Sequence, residues 1–386
     1  MRAAPGLGWL APNATIGIVG GGQLGRMSAL AAARLGYRSH VLTPEPDSPA
    51  GQVCAGVTLG EYEDPQALCD FAARVDVITF EFENVSAEGL DLLASLKPVH
   101  PSPAVLRISQ DRLAEKTFLN AAGVPTAPWR AVATRAELDA AVAALGLPAI
   151  LKTTRLGYDG KGQALLRTPD DLDAAFDTLA PKPLVLEGFV DFACEISVIV
   201  ARGADGALAA FDAVQNTHRD HILDLTLAPA PVSEQIAAAA GQVARQVAEA
   251  LGLVGLLAVE MFLTADGRVL VNEIAPRPHN SGHWTIDACP ASQFELHIRA
   301  VAGLPLPAAT RHSDAVMKNL VGPRETGLWP RILAMPGLIP HLYGKAEARP
   351  GRKMGHVTRL FPRGALPGPF GIAAALGELA AQDQDA

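Results

Sequence analysis

Gly157-Tyr158-Asp159-Gly160-Lys161-Gly162-Gln163 is the stretch on which the reading of the fold turns. It follows a short apolar run, Ala149-Ile150-Leu151, that ends in Lys152. Three glycines within six residues let the backbone turn sharply and expose its N–H groups, a shape that can cradle phosphate oxygens. Lys152 and Lys161 set positive charge on either side. The same composition also describes an ordinary hairpin tip. The common phosphate-loop pattern is excluded, because Gly160-Lys161 is not followed by Ser or Thr opening a helix.

A second pattern lies about a hundred residues on. The apolar runs from Leu256 to Leu263 and from Arg268 to Glu273 flank Asp266-Gly267, a signal for a two-residue hairpin turn. That turn places Glu260 directly opposite Glu273, where like charges repel. Two such carboxylates call for a cation. Hard oxygen ligands suit magnesium, which also takes phosphate oxygens from a nucleotide. Solvated edge glutamates are the competing reading, and Glu260 speaks against it by interrupting a run with no other charge.

The 386 residues suffice for two or three domains. A net charge of −8 and a pI near 5.7 leave no long basic surface for nucleic acid. Cys54, Cys69, Cys194 and Cys289 form no CxxC pair, which argues against zinc and disulfides and fits a reducing cytosol. The start is broken by Pro5, Gly6, Gly8 and Pro12 and lacks the apolar core of a signal peptide. No run is long enough to span a membrane.

Along the chain, Thr15 to Val19 reads as a buried strand. Gly20, Gly22 and Gly25 then match the GxGxxG spacing before a helix, which predicts a helix N-terminus open to phosphate in a doubly wound domain. Only Glu45, between prolines, stands where a ribose-binding acid belongs, so a nicotinamide site is a weaker reading. Val75 to Phe80 is a strand ending in Glu81-Phe82-Glu83-Asn84, where open α/β sheets bind ligands; helix capping by Glu83 or Asn84 is the alternative. Asp111 opens a helix, and Arg112 reads by position as a solvated charge. The strand Pro183 to Leu186 exits through Glu187-Gly188-Phe189-Val190, able to offer backbone bonds to an adenine edge. Glu195 begins a strongly β run, and His218 reads as part of a polar loop. Ala275 to Trp284 is dense in Arg, His and Asn, which suits an anionic substrate. Lys353 and Arg359 are six residues apart, so an unbroken strand there sets both on one face as a phosphate clamp.

Taken together, GGGQLGRM, QDRLAEK, GYDGKGQ, NTHRDHIL, VEMF, NEIAPRPHNSGHWT and GRKMGH resemble the ATP-grasp superfamily. Within it the chain is similar to the ligases that carboxylate 5-aminoimidazole ribonucleotide in purine biosynthesis. The resemblance implies an α/β ATP-grasp fold: a Rossmann-like domain over 1–110, an ATP-grasp domain over 111–310 with its lid at about 129–190, and a small β-rich domain over 311–386 ending in a frayed tail.

It implies that Arg112 and Lys152 meet ATP and that Gly157, Tyr158, Asp159, Gly160, Lys161, Gly162 and Gln163 close over the triphosphate. Glu187, Gly188, Phe189 and Val190 would hold adenine, Glu195 the ribose, and His218 the nucleotide site. Glu260 and Glu273 would hold magnesium beside Asn272, with Tyr158 and Asp159 facing bicarbonate and the aminoimidazole. Gln23, Glu81, Arg277, His279, Asn280, Lys353 and Arg359 would surround the ribonucleotide. Tyr158, Asp159, Lys161 and Arg277 are the catalytic candidates. A cytoplasmic homodimer is also implied. A sister ATP-grasp ligase, a nicotinamide oxidoreductase and a non-catalytic nucleotide-binding regulator stand as rival readings.

Overall fold

The computed structural model describes residues 8–155, 157 and 160–379, so Tyr158 and Asp159 lie outside the described residues. Four short strands, β1 (Thr15–Val19), β2 (Arg38–Thr43), β3 (Gly56–Leu59) and β4 (Val77–Phe80), form a parallel sheet in the order β3-β2-β1-β4. β1 and β4 are buried along most or all of their length, as parallel strands covered on both faces must be. Helices α1 (Gln23–Arg34), α2 (Pro65–Ala72), α3 (Ala87–Leu96) and α4 (Pro103–Gln110) connect and follow them. Asp64, Ser86 and Ser102 cap the last three, each accepting a backbone N–H bond, and Pro65 and Pro103 occupy first-turn positions where no donor is lost.

The GxGxxG turn differs from its expectation. The cradle at the start of α1 is filled by the chain's own Glu81, which accepts the N–H of Gly22 and, at 2.6 Å, that of Gly25. Gly20 has φ +112°, and a Cβ there would stand 2.4 Å from Glu81 Cγ. The glycines thus make room for a carboxylate at the positive end of a helix, not for a bound pyrophosphate. Glu83 does not cap a helix either; Ser86 does, and Glu83 pairs with Arg277 at 2.9 Å.

Helix α5 (Arg112–Ala121), capped by Asp111, leads into the lid. The lid is an antiparallel sheet of β5 (Trp129–Val132), β6 (Ala149–Thr153), β7 (Gln163–Leu166) and β8 (Leu184–Gly188), ordered β5-β8-β6-β7. Helices α6 (Arg135–Leu145) and α7 (Asp171–Leu179) pack on it through Leu138, Ala141, Leu172 and Ala175. The glycine loop is the tip of the β6–β7 hairpin, and Lys152 pairs with Gln163 at its base.

The largest sheet has nine strands: β9 (Phe192–Arg202), β10 (Leu208–Ala210), β11 (Val214–Arg219), β12 (Ile222–Ala228), β13 (Gly255–Thr264), β14 (Val269–Ala275), β15 (Asp314–Val321), β16 (Leu338–Leu342) and β17 (Lys353–Phe361). Its order is β14-β13-β9-β11-β12-β15-β17-β16, with β10 on β9, and all its pairings are antiparallel. β15 pairs directly with β12, so the C-terminal strands prolong the ATP-side sheet. Helix α8 (Glu234–Ala250), capped by Ser233, buries Ala240, Ala244 and Val247 against one face. Helices α9 (Thr285–Ala288) and α10 (Gln293–Val301) follow the Arg/His/Asn-rich segment, and α10 packs Phe294 and Ile298 into the core beneath α1. No helix among the described residues is long and apolar enough to cross a membrane.

Glu81→Ala leaves two helix N-terminal amides without their acceptor. A loss of about 1–3 kcal/mol is expected. Thermal melting of the variant checks this, and an unchanged midpoint would show that the carboxylate does not hold the turn.

Candidate active site

The expected pairing of Glu260 with Glu273 is present, but by a different route. Near the turn the ladder runs Met261–Val271, Phe262–Leu270 and Leu263–Val269, and Thr264 N–H bonds Arg268 O. The loop is therefore three residues long, with Gly267 at φ +83°. A bulge between Glu260 and Met261 then restores the register. Asn272 is the extra residue, and its buried Oδ1 has no hydrogen-bond partner. Each carboxylate has its own nitrogen partner: His279 Nε2 stands 2.8 Å from Glu260, and Arg112 stands 3.2 Å from Glu273. Burial alone would raise the Glu260 pKa, but His279 holds it near 2, so the group is ionised. Two carboxylates and an orphaned amide oxygen form a donor set that fits magnesium.

Beside this pair lies a set of buried charges. Lys116 is fully buried and its Nζ lies 3.2 Å from Glu187 Oε1, outside hydrogen-bond geometry. Lys152 donates to Glu187 Oε2 at 3.0 Å. Desolvation opposes the Glu187 charge, yet Lys152 and Lys116 bring its pKa down to about 2. Arg112 is not the solvated charge that its position suggests: it also donates to Gly157 O at 3.4 Å, so it ties the carboxylate hairpin to the glycine loop. Glu187 thus reaches the site through its side chain. The amides of Gly188 and Phe189 already bond Pro128 O and Pro148 O, at 2.8 and 3.2 Å.

His218 lies in strand β11, not in a loop, because β11 pairs with both β9 and β12. Its Nδ1 bonds Glu195 on β9. Burial opposes protonation of His218, but Glu195 and then Glu260 outweigh it and raise its pKa above the ordinary value. The glycine loop reaches the same strands. Gly160 has φ +77°, and a Cβ there would stand 2.5 Å from His221, in the turn between β11 and β12. Gly162 O accepts from Thr153 N–H at 2.8 Å, which closes the hairpin that carries Lys161.

The 277–284 segment is pinned by side chains that the sequence does not mark out. Gln293 accepts the N–H of His279 at 2.9 Å and donates to His279 O at 2.7 Å. Ser281 Oγ meets Ser197 Oγ at 2.8 Å, and Asn216 donates to that same Ser197 at 2.9 Å. This buried chain fixes the segment to the central sheet. Asn280 is buried, and neither polar atom of its amide has a partner, as befits a group awaiting a ligand.

Lys353 and Arg359 do not form the expected clamp. The β15–β17 ladder shifts register between Leu320 and Val321, opposite the start of β17, so the alternation of side chains is broken between the two cations. Arg359 instead donates to Pro336 O, and its guanidinium occupies the space that a Cβ on Gly337 would need. Lys353 faces the site and influences Glu260, His218 and His283. Its neighbour is Lys345, whose Nζ donates to Lys353 O at 2.6 Å. Burial and then Arg352 push the Lys345 pKa down to about 8. Lys345, Lys116 and Glu115 are site-side residues to which the sequence reading gives no role, and Glu83, read there as a strand-end acid or a helix cap, pairs with Arg277. Gln23 begins α1 beside Glu81.

Comparison with known proteins agrees with this geometry. Residues 13–110 match the ribonucleotide synthetase preATP-grasp domain, 117–294 the ATP-grasp domain, and 315–364 the phosphoribosylaminoimidazole carboxylase C-terminal domain. The chain is 53% identical over 356 residues to N5-carboxyaminoimidazole ribonucleotide synthase of Brucella melitensis, covering 92% of this chain and 98% of that protein. Identity to the Bacillus subtilis protein of the same name is 44% over 349 residues, 90% and 91% of the two chains. The crystal structure of the Aspergillus clavatus N5-carboxyaminoimidazole synthase with ADP and 5-aminoimidazole ribonucleotide matches with a TM-score of 0.89 at 34% identity, covering 96% and 98%.

Glu115 gives a pH test. It is fully enclosed and accepts Ile274 N–H at 2.7 Å, and burial pushes its pKa from 4.5 to about 8. Between those values the unfolded chain ionises this carboxyl and the native chain does not, so native stability falls as pH rises through that window. The full slope is about 1.4 kcal/mol per pH unit. Glu115→Gln removes the effect. Its melting midpoint relative to the parent should climb from pH 5.5 to pH 8, and a constant difference would show Glu115 ionised in the native state.

Proposed function

The chain belongs to the N5-carboxyaminoimidazole ribonucleotide synthase family of ATP-grasp ligases, and on that premise we propose how its residues divide the work. It carboxylates 5-aminoimidazole ribonucleotide at the expense of ATP, a reaction of purine biosynthesis. One arrangement carries the assignment of roles: the Glu260–Glu273 pair is bonded on one side to Arg112 and the glycine loop, and on the other to His279 of the 277–284 segment. A γ-phosphate held on the first side then meets an amine held on the second.

Arg112, Lys116 and Lys152 neutralise the phosphates, and Gly157 to Gln163, with Lys161 at the tip, close over them. The segment Glu187 to Val190 lines adenine; with the Gly188 and Phe189 amides spent internally, its donor to the base is Val190 N–H. Glu195 takes the ribose hydroxyls, oriented by His218. Glu260, Glu273 and Asn272 Oδ1 would hold magnesium. When bound, that ion supplies charge neutralisation across the triphosphate. Gln23, Glu81, Arg277, His279, Asn280, Lys345 and Lys353 surround the ribonucleotide, and Arg359 is not among them. Glu83 keeps the Arg277 guanidinium oriented.

In the first step a bicarbonate oxygen attacks the γ-phosphorus, the bond to the β-phosphate oxygen breaks, and ADP leaves. The residues contribute alignment and charge, which is most of what phosphoryl transfer needs. The exocyclic amine then bonds the carboxyl carbon, either directly on carboxyphosphate or as carbon dioxide released from it; phosphate leaves and the amine loses a proton. Carboxyphosphate hydrolyses in water, so the lid must stay shut between steps. Tyr158 and Asp159 carry over as the groups that would face bicarbonate and the aminoimidazole. The reading extends to a cytoplasmic homodimer. Free Cys54, Cys69, Cys194 and Cys289 suit that compartment, and Val57 and Leu59, two apart on edge strand β3, offer exposed apolar side chains.

ADP release should require magnesium, bicarbonate and aminoimidazole ribonucleotide together, and chelation of the metal should stop it. Full-rate turnover with glycinamide ribonucleotide in place of the aminoimidazole would overturn the reading.

Lys353→Ala should raise the Michaelis constant for the ribonucleotide by roughly 10- to 100-fold, the worth of one charge-assisted phosphate contact, and leave that for ATP nearly unchanged. Arg359→Ala should alter neither constant. Steady-state kinetics of both variants separate this from a two-residue clamp, in which the two would behave alike.

A further inference from the structure

Away from the ATP side, the described residues bring Asp287, His341 and His356 together, each with a ligand atom within 4.8 Å of the others. Asp287 lies in α9, just after the 277–284 segment, while His341 and His356 lie in β16 and β17. The two histidines are direct cross-strand partners, with rings stacked 4.5 Å apart and 14° from parallel. Asp287 Oδ2 and Oδ1 stand 3.0 and 3.2 Å from His341 Nε2.

An ion pair between Asp287 and His341 does not account for the third member. His356 has no exposed surface. Its Nδ1 bonds the Tyr343 hydroxyl at 2.9 Å, and its Nε2 has no partner. A buried ring nitrogen without a partner is costly unless a ligand completes it. An Nδ1–H donated to Tyr343 leaves the Nε2 lone pair available, which is how ligating histidines are commonly held. Burial, with His283 and His341 nearby, keeps His356 well below the ordinary histidine range and so neutral, the form that can ligate. Tyr343 is buried and stays un-ionised. The Asp287 and His341 side chains are 9% and 26% exposed, which leaves an approach for an ion and a coordinated water.

Two imidazoles and one carboxylate suit borderline transition metals, whereas magnesium and calcium prefer oxygen alone. We propose that Asp287, His341 and His356 bind one divalent transition-metal ion, zinc fitting best, as a clamp between α9 and the β16–β17 hairpin. The site is separate from the oxygen-rich Glu260–Glu273 pair. It holds the C-terminal strands to the segment that leads from the Arg/His/Asn-rich loop.

The test uses the tag-free full-length chain, stripped with chelator and kept in excess magnesium to fill the carboxylate pair. Zinc is titrated by calorimetry and cobalt by visible absorption. One equivalent per chain should bind, with cobalt d–d bands, and zinc should raise the melting midpoint. His341→Gln and Asp287→Asn should each weaken zinc by ~10-fold or more. Glu273→Gln should retain the equivalent. The proposal is overturned by no binding, by unchanged affinity in both ligand variants, or by loss of the equivalent in Glu273→Gln. Should the ligand variants fail to fold, NMR of the cobalt-loaded parent decides: paramagnetically shifted imidazole signals support the site, and their absence overturns it.

Discussion

Burying a charge costs several kcal/mol, and the seam between lid and core buries a group of them. Lys116 and Lys152 share Glu187, while Arg112 shares Glu273. The pairs join β6 and β8 of the lid to α5, and α5 to the hairpin of the central sheet. Arg112, Lys116 and Lys152 there face two carboxylates, Glu187 and Glu273, while burial pushes the Glu115 pKa up to about 8. Lys116 Nζ sits beside Glu187 Oε1 without a hydrogen bond, so its donors are unspent. A bound polyphosphate adds negative charge to this cation-rich seam. The same contacts therefore hold the empty protein in shape and set the electrostatics that receive the nucleotide.

The elements that carry this seam were largely legible. Asp111 and the Asp-Gly pair announced α5 and the carboxylate hairpin by local chemistry. The hairpin was legible for a partly wrong reason: a longer loop and a bulge cancel, and only the opposition of Glu260 and Glu273 survives both descriptions. What stayed hidden depends on distant packing. Nothing local distinguishes Lys116 from a surface helix lysine, or His218 from a loop histidine, until the strands on either side are placed. The same holds for Arg359, where one irregular register step undoes an inference from even spacing.

The N-terminal domain keeps the outline of a dinucleotide fold and fills its phosphate cradle with a side chain. Glu81 arrives from the end of β4, the adjacent parallel strand, and takes the amides that a cofactor would use. That substitution removes the nicotinamide reading on physical grounds. It also leaves an acid near Arg277 and Lys345. A feature that reads as a cofactor signature thus serves to hold a buried carboxylate.

The unbroken run from β12 to β15 in the central sheet has a consequence for how this chain can be divided. A bead-like module can be cut off or exchanged with little harm to its neighbour. Here, ending the chain before Asp314 would strip β12 of its partner and lay open a row of main-chain donors and acceptors. Such an edge recruits other strands, from copies of itself or from other proteins. Recombination at this boundary would therefore tend to yield aggregates, and the third sequence family along the chain is inherited as an inseparable border of the second.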